Sequence, residues 1–213
     1  MPPSSHNQLL IDEIHYDARG PAVSDVHWHS DTACDYFSAQ HRCYRWLPNR
    51  DGCGYIISMD ALVRRTIVFV KDPGYLLVLD SVMDEDSPTA FNRAITSHWH
   101  SPFGFSALGP QLARTNGSPG CLIALARPDG LRPFIIGLDH ANEPESANEH
   151  YRERHHLRIR RWFKNAVGPC TGFATVLYPF AQTPPTLDFS VFALTGGAPF
   201  RAEGFTLRGP HGQ

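Results

Sequence analysis

This 213-residue sequence predicts an all-β fold, a single antiparallel β-sandwich of jelly-roll-like arrangement. Short runs rich in Val, Ile, Leu, Phe and Tyr recur along the chain, each bounded by Gly, Pro, Asn or Asp. Helical periodicity is scarce, so the βαβ rhythm of a parallel sheet is absent. Hydrophobic residues make up 42% and charged residues 19%, a balance that supports a sizeable core.

The strand candidates, in order, are QLLIDEI (8–14), DYFSAQHRCY (35–44), RRTIVFVK (64–71), GYLLVLDSV (74–82), FNRAITSHWH (91–100), CLIALAR (121–127), RPFIIGLD (132–139), HHLRIRRWF (155–163), FATVLYPF (173–180) and DFSVFAL (188–194). Alternation is clearest in the eighth, where Leu157 and Ile159 share a side facing a core, with Trp162 also expected to face it and arginines outward. Asp72-Pro73-Gly74 marks a turn, since Pro fixes φ and Gly supplies positive φ. Asn116-Gly117 and Asp129-Gly130 are similar punctuation. The best helical candidate, EPESANEHYRERHH (143–156), lacks an apolar stripe and reads as a long polar loop. The sandwich is expected over 1–198, with Phe69, Val78, Ile123, Ile136 and Val176 in or near the core, and 199–213 as a loose tail.

Net charge is −2, which gives no electrostatic reason to expect nucleic acid or an anionic membrane as partner. The twelve histidines would make the chain strongly positive just below pH 6.5. No apolar run approaches the roughly 18–20 residues of a membrane span, and MPPSSHNQLL has no signal-peptide pattern. Five cysteines (34, 43, 53, 121, 170) without a C-x-x-C pair favour reduced thiols, and a cytoplasmic location is expected.

HWH occurs twice, at 27–29 and 98–100. On a strand, residues i and i+2 share a face, so His27/His29 and His98/His100 each offer two imidazoles on one edge. Such edges could bind zinc beside a carboxylate, but lining a cleft or simple surface placement are the commoner uses. His41, Tyr44 and Trp46 form the densest local cluster of hydrogen-bonding and aromatic side chains. Arg64 and Arg65 face opposite ways on a strand, so at most one can grip a substrate carboxylate, and pairing with the chain's own acids is the commoner outcome. The basic run HYRERHHLRIRR (150–161) is broken by Glu153 and preceded by Glu145 and Glu149, as in a solvated face or flap. No G-x-S-x-G or phosphate-loop pattern occurs.

The segment RRTIVFVKDPGYLLVLDSV (64–82) resembles a hairpin in the C-terminal β-sandwich domain of heparinase II/III-type polysaccharide lyases. HNQLLID (6–12), DYFSAQHRCYRWL (35–47), SHWHSPFG (97–104) and FATVLYPF (173–180) resemble other segments of that domain, in the same order. Two positions depart from the pattern: Val63 where the family has His before the Arg pair, and Gln8 where it has Thr. The resemblance covers residues 6–180 and implies a β-sandwich without the family's α/α toroid, which supplies much of the sugar groove and the catalytic Tyr and His. Of the family's metal ligands only His6 carries over, so no metal and no cofactor are expected.

Three functions fit. The first is a repurposed small-molecule enzyme, a cyclase or lyase of a bacterial natural-product pathway closing a ring by holding its substrate folded in the sandwich cleft. The second is the C-terminal module of a polysaccharide lyase acting by β-elimination on a uronate-containing polymer. The third is a non-enzymatic carbohydrate-binding module. For the first, the expected site is a cleft with His98, His100 and Tyr44 as proton-handling groups. His6, His29, His41, Trp46, Arg65 and Tyr151 would bind a small-molecule or oligosaccharide substrate, and a homodimer is left open.

Overall fold

The computed structural model describes residues 9–11, 23–47, 55–84, 91–109, 111–125, 135–138, 155–166, 171–186, 188–194 and 202–208. In chain order the strands are β1 (Leu9–Ile11), β2 (Ser24–Ser30), β3 (Cys34–Leu47), β4 (Tyr55–Val70), β5 (Tyr75–Asp84), β6 (Phe91–Ser101), β7 (Phe105–Gly109), β8 (Leu112–Thr115), β9 (Gly120–Leu125), β10 (Ile135–Leu138), β11 (His155–Ala166), β12 (Thr171–Phe180), β13 (Asp188–Leu194) and β14 (Ala202–Arg208). No helix occurs among the described residues, and the all-β antiparallel expectation holds.

A large sheet has the order β2-β3-β4-β5-β12-β9-β8-β7 and a small one the order β1-β6-β11-β10, while β13 and β14 pair separately. The tail expected to be loose therefore contains a strand, β14, paired from Ala202 to Arg208 with β13. Leu157 and Ile159 are fully buried, as their alternation required. The side chain of Trp162 lies outside the described residues.

Register identifies the faces. Leu9, Ile11, Ile95, Trp99, Leu157 and Ile159 line the inner side of the small sheet. They meet Val63, Val78, Val82, Phe173, Ile123, Leu125, Ala113 and Phe105 of the large sheet. Among the described residues Cys43 is the one residue of β3 in this core, and β2 contributes none. Val78 and Ile123 sit there as expected; Val176 is also buried, but on the opposite face of β12, in register with Ala124. Phe69 corrects the expectation: it points to the inner side yet is 38% exposed, because it lies beside the 71–74 turn, paired with the half-buried Leu76, beyond the cover of the small sheet. The side chain of Ile136 lies outside the described residues.

The hairpin β4–β5 turns through residues 71–74, with a cis Asp72–Pro73 peptide and Gly74 at φ 88°, the conformation that favours glycine. Val70 pairs with Tyr75, and pairing continues to Ala61 and Asp84 without a bulge. At Gly120, a side chain would collide with the Phe180 ring and the Gly117 carbonyl, so β9 approaches β12 there as only glycine permits.

Candidate functional site at the open side of the large sheet

Among the described residues eight strands face four, and part of the large sheet's inner side has no layer above it. One cross-strand row makes this visible: Trp28, Phe37, Ile67, Val78 and Thr175 are successive partners from β2 to β12. Trp28 is 68% exposed, Phe37 and Ile67 are half-buried, and Val78 and Thr175 are buried. The neighbouring row runs Ala39, Arg65, Asp80, Phe173, passing from half-buried to buried in the same direction.

Arg65 sits where open surface becomes core. Its Nε donates to Asp80 Oδ1 at 2.6 Å and its Nη2 to Asp80 Oδ2 at 2.9 Å, a bidentate pair. The Asp80 side chain is fully buried and that of Arg65 is 25% exposed. The guanidinium lies over the Trp99 ring of the opposite sheet, 5.9 Å from its centroid, a cation–π contact that ties the two layers together. The Trp99 indole Nε1 is buried with no hydrogen-bond partner among the described residues. His41 lies on the same face, one row away, opposite Val63. Burial holds its pKa below the usual histidine value; the Arg65 charge adds to this and Asp80 opposes it. The imidazole is therefore neutral at neutral pH and able both to donate and to accept a hydrogen bond.

Of the residues expected at the site, this cluster holds two, His41 and Arg65. Tyr44 and Trp46 continue strand β3 beyond a bulge between Arg42 and Tyr44, and their side chains lie outside the described residues. His6 and Tyr151 also lie outside them. His98 and His100 share a face, as their spacing required, but it is the outer face of the small sheet. Trp99 points into the core, and the register sets His98 beside Arg158 and His100 beside His156. The cleft expected to unite them with His41 is not assembled: β6 turns its tryptophan, not its histidines, toward the large sheet.

His29 is on the outer face of the large sheet, away from His41. Its Nε2 donates to Asp31 at 3.0 Å, and His27 donates to Asp25 at 2.7 Å. Asp31 also accepts the backbone N–H groups of Ala33 and Cys34, each at 2.8 Å. Those bonds, Cys34 foremost and His29 next, bring its pKa down to about 2. Asp25 is lowered by His27 first and then by Arg64, which binds both Asp25 and Gln40. Arg64 and Arg65 thus face opposite ways and both pair with the chain's own acids. The two HWH motifs lie in different sheets, and among the described residues no group of three or more His, Cys, Asp or Glu is arranged to hold a metal ion.

Asp80, Trp99, Trp28 and Phe37 were not singled out from the sequence. Asp80 had a readable signal: Arg65 is five residues before Val70 and Asp80 five after Tyr75, so an uninterrupted hairpin sets them side by side. Trp28 and Trp99 had weaker ones, each being the central residue of its HWH motif.

No protein-family model and no curated protein matches this chain. Solved structures do. Heparan sulfate lyase HepC from Pedobacter heparinus matches with a TM-score of 0.66 and 15% identity, over 98% of this chain and 29% of that one. A structure of heparinase III matches with a TM-score of 0.64 and 12% identity, over 98% of this chain and 29% of its own. At such identities the likeness is one of fold, and this chain spans about 29% of the length of those neighbours. The sequence thus folds as an antiparallel β-sandwich like the one that forms part of heparinase III lyases.

Proposed function

We propose that this chain is the sandwich module of a polysaccharide-lyase-like protein, holding an oligosaccharide across the open side of its large sheet. The observation that carries the reading is the Arg65–Asp80–Trp99–His41 cluster at the edge of the core, in a fold shared with heparan sulfate and heparinase III lyases. A fixed guanidinium and a neutral imidazole are groups suited to sugar hydroxyls and carboxylates. Asp80 is committed to Arg65, which leaves His41 as the one proton acceptor of the cluster. β-Elimination needs both a base for the C5 proton and an acid for the leaving oxygen, so the cluster serves binding rather than a complete reaction. The ring-closing enzyme that ranks first from sequence alone draws no support from the fold likeness.

The test is calorimetric titration with acidic oligosaccharides cut from heparan sulfate and from alginate, beside neutral ones of equal length. Absorbance of the unsaturated uronate product is followed in the same samples. Acidic oligosaccharides should bind without appreciable turnover. His41→Ala should weaken binding about tenfold, the effect of one good hydrogen bond. Ala39→Trp, which adds bulk beside Arg65, should abolish it while the melting temperature stays close to wild type. A folded wild-type chain that binds none of these sugars would end the proposal.

A further inference from the structure

On the open side of the large sheet, beyond the Arg65 cluster, lies an aromatic surface with no assigned role. Trp28 is 68% exposed and Val26 55%, on edge strand β2. Phe37 stands beside Trp28 with ring centroids 6.4 Å apart and planes tilted by 59°. Phe69, also exposed, is on the same face in the next row, with Ser30 and Asp35. Ser30 Oγ donates to Asp35 at 2.6 Å, and Lys71 Nζ lies 2.9 Å from the same carboxylate. We infer that Trp28 and Phe37 form a stacking subsite for a pyranose ring of an oligosaccharide whose next residues reach Arg65 and His41. This rests on the proposed sugar-binding reading of the inner cluster and extends it.

Size favours a small ligand over a protein. Two aromatic side chains bury about 150–250 Å² each when fully covered. The partly exposed Trp28, Val26, Phe37 and Phe69 together therefore offer on the order of 300–400 Å², against roughly 800 Å² per partner in a stable protein interface. Strand addition along β2 is also disfavoured. The strand carries a bulge between Ser24 and His27 with Asp25 at φ 50°, and His–Asp pairs along its outer face. Bulges and charges of this kind blunt a sheet edge against pairing.

Chemistry favours a sugar. A pyranose has an apolar face of C–H bonds that lies flat on an aromatic ring, and equatorial hydroxyls around its rim that need polar partners. The indole of Trp28 offers the first, and Ser30, Asp35 and Lys71 at one end offer the second. The surface is also fixed before any ligand arrives. Asp31 ties the β2–β3 turn by accepting Ala33 N–H and Cys34 N–H, and Lys71 Nζ donates to the Asp31 carbonyl at 2.5 Å. A preformed surface loses little freedom on binding. Continuity supplies the direction: Trp28, Phe37 and Ile67 lead in one row toward the core, beside Ala39 and Arg65 in the next.

The experiment titrates the full chain with a disaccharide, a tetrasaccharide and a hexasaccharide of whichever acidic glycan binds. It uses wild type, Trp28→Ala, Trp28→Phe and His41→Ala, with sedimentation velocity on each. Affinity should rise with length in wild type. Trp28→Ala should weaken the hexasaccharide about tenfold and the disaccharide less than twofold, with Trp28→Phe restoring most of the loss. His41→Ala should weaken every length equally. Equal affinities of wild type and Trp28→Ala for the hexasaccharide, with His41→Ala still impaired, would overturn the stacking subsite and leave the inner site standing. No binding at any length would overturn both. A wild-type dimer that Trp28→Ala turns into a monomer would assign the surface to a second copy and likewise overturn the subsite.

Discussion

Removing the carboxylate of Asp80 should cost this protein more than almost any other single change. Two charge-assisted hydrogen bonds of 2.6 and 2.9 Å join it to Arg65 in a place where the aspartate side chain has no contact with water. With charge centres about 4 Å apart and an effective dielectric constant near 20, the attraction is roughly 4 kcal/mol. Much of that offsets the cost of dehydrating both groups, so the pair as a whole adds little net stability. Asp80→Ala removes the attraction and leaves the dehydration of Arg65 in place, at a cost of about 3–5 kcal/mol. For a chain of this size each kcal/mol lowers the melting temperature by roughly 2–4 °C, so a fall on the order of 6–20 °C is expected. The double variant Arg65→Met/Asp80→Leu removes both charges and fills the space, and should recover most of the loss. Urea unfolding of wild type, Arg65→Met, Asp80→Leu and the double variant, followed by far-ultraviolet circular dichroism, gives the four corners of the cycle. The reasoning is refuted if Asp80→Ala stays within about 1 kcal/mol of wild type, or if the double variant is no more stable than the summed single losses predict.

His41 links stability to pH. Its folded pKa lies below the unfolded value of 6.5, so on acidification the unfolded chain takes up the proton first. Stability from this group is present above pH 6.5 and is lost as pH falls from there toward the depressed folded value. Unfolding titrations at several pH values should show that slope, and His41→Gln should flatten it. Gly120→Ala should destabilise the chain by about 1–3 kcal/mol, since the added methyl meets the Phe180 ring and a backbone carbonyl; thermal melts check it, and pairing the change with Phe180→Leu should relieve part of the cost.

The two sheet faces were legible wherever one strand alone carried the pattern. Leu157 and Ile159 alternate with arginines and are buried. The hairpin around Asp72-Pro73-Gly74 turns where its residues require. Phe69 shows the limit of such reading, since alternation assigns it correctly to the inner face but cannot tell how far the opposite layer extends. That extent depends on β1, β6, β11 and β10 coming together from distant parts of the chain, a pairing no local pattern encodes. His98 and His100 fail for a related reason. Spacing placed both on one side, His98 is buried to 2%, yet burial occurs on the side away from His41. The large apolar ring between them was the deciding signal, because the core accepts tryptophan at lower cost than two imidazoles. The exposed row from Trp28 to Phe37 follows from the unequal widths of the sheets and has no counterpart in hydrophobic periodicity.

The side-by-side arginines of β4 also bear on how the long hairpin finds its alignment. If β4 slid by one residue against its neighbours, Arg65 would swing out beside Gln40 and Asp25, and Arg64 would enter the core. Slid the other way, Arg64 would take the place opposite Asp80 and give up Asp25 and Gln40, so of these alignments only the observed one gives both arginines a carboxylate, Arg65 with Asp80 and Arg64 with Asp25. The slip that carries Arg64 into the core leaves a dehydrated cation unpaired, a penalty of several kcal/mol borne at once by the misaligned state. The pair thus acts as a checksum on strand alignment. An insertion or deletion between Arg65 and Val70, or between Tyr75 and Asp80, would force the chain to give up either the turn or the match, so that stretch should tolerate substitution far better than a change of length.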